Sequence, residues 1–503
     1  MLSRIFIITA LLFFINHSFA NIQFKNASKD KTAQNLFDNG MLAFYGYLYS
    51  QAEYNFRQAL IYDPNCAVCY WGLALAKKKQ ALELGLPFSK VGYNDIIKAK
   101  ILVNSNNEFY YDLIQTAEQS FTLNNTSSKQ LQLNYINSLK KLYEKYKTNE
   151  DWHIETLALY VDAIAYYSNV DDNTSMDSHC GNISNNVLKQ QALTLMEPIL
   201  KDSKYPDHPG ILHTYIHMAE QNLEDPLGLI AAEKLSKFSN NIVAHYTHMP
   251  NHIYWRRGMY EKAIEANLNA IQIDENYFKN NGAGLNSYYY EYHYLHSHHF
   301  LTILGFLTNN YDLSIKYARE IKYKMDPSRM ETLVNYRDTF LTLEHLILAR
   351  FEKWNDIILL ETPEQLGQLG NLFVDFSRAL AYLNLNKKEN FKKLSLSIKK
   401  KKSLNKGTVE IQKLIETYLQ ASEMALNKQP LKNIENLFYR NGVHKIEKNL
   451  FSYNPPLWIF PYQLMLSNEA AKRKDDINSK KYYALYQNIY PKSEFGKIYT
   501  IQK

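Results

Sequence analysis

Residues 36–64 read LFDNGMLAFYGYLYSQAEYNFRQALIYDP, and this stretch decides the fold. It predicts a hairpin of two helices. Gly40 and Ala52 are small enough to let the two helices approach closely. Phe56 and Ala59 fall where a second helix packs on its neighbour. Pro64 lacks an amide proton, ends that helix and sets the turn. The next helix is expected to open at Ala67, with Tyr70, Leu73 and Ala74 repeating the opening positions of the first.

The same pattern returns along the chain. Ile253 to Asp274 is a good copy, through Tyr260, Ala263, Ile264 and Ala270. Tyr311 to Ile321 resembles a second repeat helix, and Trp354 with Ile357 starts another. Helical patterns continue at Phe373 to Leu383, Val409 to Leu426 and Leu464 to Tyr490. Alternating β-branched runs bounded by Asn-Gly or Asp-Gly do not occur, so strands are not expected. The spacing of Gly40, Ala52, Phe56, Ala59 and Pro64 matches the tetratricopeptide-repeat (TPR) consensus. The expected fold class is all-α, a TPR-like α-solenoid of antiparallel helix hairpins. The expected organisation is a signal peptide at 1–20, an N-terminal helical region at 21–165 and a loop or insertion at 166–190. A histidine-rich central region at 191–330 follows, then C-terminal repeats and a cap at 331–503.

The first twenty residues have the pattern of an export signal. Arg4 supplies the positive start, Ile5 to Ile15 the apolar run, and Ser18-Phe19-Ala20 the small-x-small cleavage site. Eleven apolar residues are too few to span a bilayer, which takes about 20. The expectation is an exported protein, periplasmic or secreted, with no lipid anchor and no transmembrane segment in the mature chain. With 57 Lys+Arg against 50 Asp+Glu, the net charge of +7 is mild for 503 residues. The one lysine run, Lys399 to Lys402, is expected to be a solvated helix end or loop, so nucleic-acid binding has little support. Cys66-x-x-Cys69 is followed by Tyr70, where haem attachment would need histidine. A local disulfide, a pair of buried helix residues and a metal role all remain open for these two cysteines.

Ten of the fifteen histidines lie between His208 and His299. His213, His217 and Glu220 are offset by four and seven residues, which puts them on one helical face. Two imidazoles one turn apart can share a metal ion, and a carboxylate can be a third ligand or orient a ligating ring. His296 and His299 are also neighbours on a helix. His252 is expected in the first turn of a helix opened by Pro250. His217, His252 and His299 are separated by 35 and 47 residues, near one repeat each, so they could enter one groove from successive hairpins. The candidate metal ligands are therefore His213, His217, Glu220, His248, His252, His296 and His299. Asp162 could add a carboxylate. His208 is expected to be a helix cap, and His245, His293 and His298 are expected at the surface or behind the ligands.

Several segments resemble a group of exported bacterial TPR proteins, mostly uncharacterised. They are Asn65 to Gly72 (NCAVCYWG), His208 to His217 (HPGILHTYIH), His248 to Ile253 (HMPNHI), His296 to Leu301 (HSHHFL) and Asn454 to Trp458 (NPPLW) with Pro461. The resemblance implies the repeat fold over residues 36 to 490 and supplies no reaction. The chain departs from the family at Gln463, where an Arg is usual, and no anion-binding role is carried over to Gln463.

Two functions follow as expectations. One is a binding scaffold whose concave, histidine-rich groove takes a protein or peptide partner or a ligand. The other is a metalloprotein or metal-dependent enzyme, in which histidine and carboxylate hold Zn, Fe, Cu or Ni. The ligand types alone choose neither the ion nor a reaction.

Overall fold

Phe56 stands between two glycines that the repeat places against it. A Cβ on Gly40 would lie 2.5 Å from its ring, and one on Gly72 would lie 2.7 Å from it. The three residues lock Lys31–Tyr45, Tyr49–Tyr62 and Ala67–Glu83 into antiparallel contact. The third helix opens at Ala67 as expected, and Asp30 caps the first by accepting from the Ala33 amide at 2.8 Å.

The computed structural model describes residues 22, 24–83, 90–124, 126–167, 186–238, 243–281, 289–328, 330, 334–402, 406–450 and 453–496. The expected signal peptide and most of the expected loop at 166–190 lie outside the described residues. The edges of that loop are helical instead, since His153–Tyr167 and Asn186–Lys201 run into it. Among the described residues every regular element is a helix, and consecutive helices pack on one another along the chain. The Leu464 to Tyr490 pattern divides into Tyr462–Lys472 and Asp476–Gln487. Lys399 and Lys400 end a helix and are exposed, as expected. No described helix is long and apolar enough to cross a membrane.

One turn is reused. Tyr47, Gly258, Asn309, Glu352, Asn386, Lys428 and Lys474 all have φ between 54° and 67°. In each case the next amide donates to the carbonyl five residues before it: Leu48 to Ala43, Met259 to Tyr254, Asn310 to Gly305, Lys353 to Leu348, Lys387 to Tyr382, Gln429 to Met424 and Asp475 to Ala470. This is the Schellman closure, which satisfies the last carbonyls of a helix while reversing the chain. Seven copies give seven hairpin corners of one shape. Only one copy uses glycine, so six L-residues sit in left-handed backbone.

The first hairpin does not stand at a free end. The Tyr246 hydroxyl donates to the Leu42 carbonyl at 2.8 Å, and the Tyr277 hydroxyl donates to Gln51. The C-terminal segment also returns to the centre: the Tyr260 hydroxyl donates to the Pro491 carbonyl at 2.6 Å, and the Glu494 amide donates to Leu307 at 2.9 Å. A single apolar core runs from Phe24 to Phe495. The middle of the chain, which carries the histidines, is thus covered from both ends.

Candidate metal centre

Three helical segments bring the histidines together. Pro209–Ala219 begins at His208, whose ring nitrogen accepts from the Ile211 amide at 3.3 Å, so the expected cap is present. Gly210 admits the Tyr45 ring, 2.7 Å from where a Cβ would stand. His213 and His217 follow one turn apart on the face that this opens. Ala244–His248 and Pro250–Arg256 run almost end to end, with Pro250 in the first turn of the second. They carry His245, His248 and His252. A π-helical turn at Tyr290–Tyr294 leads into Leu295–Leu307 and carries His293, with His296 just beyond it. Such turns shift the register by one residue and often stand at functional sites.

The rings form two adjoining triplets. His213, His217 and His245 have ligand-capable atoms within 4.8 Å of one another, as do His248, His252 and His296. The triplets touch: His217 and His252 rings are 5.9 Å apart, and His245 and His248 rings 5.7 Å. All six are buried, with at most 4% of each residue exposed. The expected groove face is therefore an interior, and these side chains are out of reach of a macromolecular partner.

The outer nitrogens of His213 and His248 are held. His213 Nδ1 lies 2.6 Å from the Tyr45 carbonyl, which can only accept, so it carries the proton. His248 Nδ1 lies 2.8 Å from Asn267 Oδ1, and the Asn267 amide nitrogen is committed to the Ala263 carbonyl at 2.7 Å. His252 Nδ1 lies 2.8 Å from a Glu220 carboxylate oxygen. The partners of His213 and His248 assign their tautomers and leave each Nε2 with a lone pair, whereas the Glu220 oxygen stands near His252 Nδ1 without hydrogen-bond alignment. The two Nε2 atoms of His248 and His252 are 3.0 Å apart, as are those of His213 and His217. His296 Nδ1 is tied to the Tyr336 hydroxyl at 2.9 Å.

Burial holds the imidazoles of His213 and His248 down at about 3, outweighing the hydrogen bonds to Tyr45 and Asn267. Burial first, and neighbouring histidines second, hold His245, His252 and His296 well below the ordinary imidazole range. These five rings are neutral at pH 7, the form that ligates metal.

Several expectations change. Glu220 is the residue that closes its helix, and it sits behind His252 rather than among the converging nitrogens. His299 is buried against Phe340, with ring centroids 5.4 Å apart, and belongs to neither triplet. Asp162 is taken by Lys79 in an ion pair of 2.7 Å. His245 is inside the first triplet rather than at the surface or behind the ligands, while His293 is buried behind it, one of the two expected places; their ring centroids are 4.5 Å apart. His298 is buried too, with Nδ1 3.0 Å from the Tyr294 carbonyl. The missed ligand candidate is His245. Its signal was the three-residue interval to His248, on a segment too short to show a face. Tyr47 was also missed: its ring centroid lies 4.3 Å from that of His213 and stacks on His217 at 5.6 Å, covering the first triplet. Cys66 and Cys69 form a disulfide, which closes the question their spacing left open.

No protein-family model matches the chain, and no curated protein matches it. Among solved structures, the chain is similar to the crystal structure of the P58(IPK) TPR domain. The match has 13% identity, covers 78% of this chain and 98% of that one, and has a TM-score of 0.18. The assignment to an all-α array of antiparallel hairpins rests on the helix order, the packing and the repeated corner described above.

Proposed function

We propose that this protein is a metalloprotein whose helical array buries a paired histidine centre for late first-row transition ions. The carrying observation is the His248–His252 contact. Their Nε2 atoms converge to 3.0 Å, and that of His248 carries a lone pair, so a cation beside the pair can be held by both rings. His296 completes one trigonal set, and His213, His217 and His245 supply a second. Imidazole-only sets suit Zn, Cu, Fe and Ni. Three protein nitrogens per ion would leave a coordination position for water or a small molecule, which is the requirement for chemistry at the ion. Glu220 and Asn267 would orient the ligating rings and raise their basicity.

The test is elemental analysis of protein purified without chelators, and again after loading with Zn, Cu or Fe. Wild-type chain should hold stoichiometric metal, and the His217→Ala/His252→Ala double variant should lose most of it. Stoichiometric metal that survives in the double variant would remove the reading.

A second reading, favoured by the array itself, is that its outer helix faces serve as a scaffold for a protein or peptide partner. Export to the periplasm or outside the cell agrees with both readings, and the Cys66–Cys69 disulfide supports it because disulfides persist in oxidising compartments.

A further inference from the structure

Arg350 ends the helix Val334–Arg350 and is only 8% exposed. Its guanidinium carbon lies 4.5 Å from the Phe495 ring centroid, 5.3 Å from Phe306 and 5.4 Å from Phe460. Its Nε has no hydrogen-bond partner among the described residues. Burying a guanidinium is costly, and contact with aromatic faces and one hydrogen bond with the Tyr418 hydroxyl offset the cost only in part.

The residue opens on a cleft of about 630 Å³ walled by Trp354, Tyr418 and Phe460. Burial pushes the Tyr418 hydroxyl up to about 12, and Arg350 beside it acts in the opposite direction. Lys428, Lys472 and Arg473 stand on the same lining, against Glu352 and Glu469. Arg473 is already committed, to Glu469 at 2.8 Å and to the Gln429 carbonyl at 2.6 Å. That leaves Arg350 and two exposed lysines facing one carboxylate. A guanidinium is the side chain best shaped to take a carboxylate by two parallel hydrogen bonds.

We propose that this cleft binds a small carboxylate with an aromatic or apolar body. The carboxylate sits on Arg350, and the body lies on Trp354, Tyr418 and Phe460. The site is separate from the histidines: Phe306 lies ten residues beyond His296 on one helix, roughly 15 Å along it.

The test is calorimetric titration of the full chain with indole-3-acetate and with its neutral analogue indole-3-acetamide. Wild type should bind the carboxylate at least about tenfold more tightly. Arg350→Met should abolish that preference, and Lys428→Glu/Lys472→Glu should weaken the carboxylate severalfold while leaving the amide unchanged. Equal binding of the two probes, no binding of either, or a preference that survives Arg350→Met would overturn the proposal. If Arg350→Met does not fold, the lysine variant decides, because it alters only exposed residues, and unchanged carboxylate affinity there would overturn it. Metal content plays no part in this readout, so its failure leaves the histidine reading where it stood.

Discussion

His248 and His252 meet nitrogen to nitrogen, with their Nε2 atoms 3.0 Å apart, while Asn267 Oδ1 accepts on the far side of His248 and a Glu220 carboxylate oxygen stands 2.8 Å from the far side of His252. That carboxylate is buried at 1% exposure. An oriented, more basic imidazole binds metal more tightly, and removing such a partner typically costs about 10–100-fold. Glu220→Gln should lower affinity for Zn or Cu by that factor, measured by competition with a chromophoric chelator. Equal affinities would mean that Glu220 does not tune the ligand.

Phe56 is the wedge of the first hairpin. Phe56→Ala should destabilise the chain by about 3–5 kcal/mol, through lost burial and the cavity left behind. Gly72→Ala would bring a methyl group 2.7 Å from the ring and should cost about 1–3 kcal/mol by overpacking. Urea unfolding followed by circular dichroism measures both. A neutral Gly72→Ala would show that the Phe56 ring can shift aside.

Tyr47 combines left-handed backbone, φ 62°, with a ring lying on His213 and His217. Tyr47→Gly relieves about 1–2 kcal/mol of backbone strain but forfeits about 3–5 kcal/mol of packing, so the net effect should be a loss of about 1–4 kcal/mol. It also uncovers the first triplet. Metal bound there should leave faster to an external chelator, read by stopped flow. An unchanged release rate would show that Tyr47 does not gate the triplet.

His345 isolates the effect of acid on stability, because it belongs to neither triplet. It is fully buried, and both ring nitrogens lack partners among the described residues. Burial, then Arg378 and Lys322, hold it down at about 3. Below its unfolded value near 6.5 the unfolded chain takes up a proton that the folded chain refuses. Stability from this residue is therefore complete above about 6.5 and is lost as pH falls towards 3, at about 1.4 kcal/mol per pH unit. His345→Leu should make the decline between pH 7 and pH 5 shallower by that slope in metal-free protein, measured by urea midpoints. Parallel declines would contradict the assignment.

The helices were largely legible because their signals are local. The small residues Gly40 and Ala52, the wedge Phe56 and the stop at Pro64 announce a hairpin within thirty residues of chain. The corners were not legible: Glu352, Lys428 and Lys474 adopt backbone that sequence reading assigns to glycine. Periodicity placed His213 and His217 on one face but could not say which element covers it. That element is the first hairpin, whose Tyr45 carbonyl is 168 residues away from His213 in sequence. The same limit misplaced Asp162, claimed by Lys79, and His299, which turns towards Phe340. His245 was hidden because Pro250 divides its segment into two short helices.

The most direct test of the central claim is metal content per chain, by inductively coupled plasma mass spectrometry, in the wild type and in single alanine variants of His213, His245, His252 and His296. The paired centre predicts two ions per wild-type chain and loss of one ion from each variant, with the retained ion in the triplet left intact. Wild-type protein that holds no stoichiometric metal after exposure to Zn, Cu and Fe would contradict it.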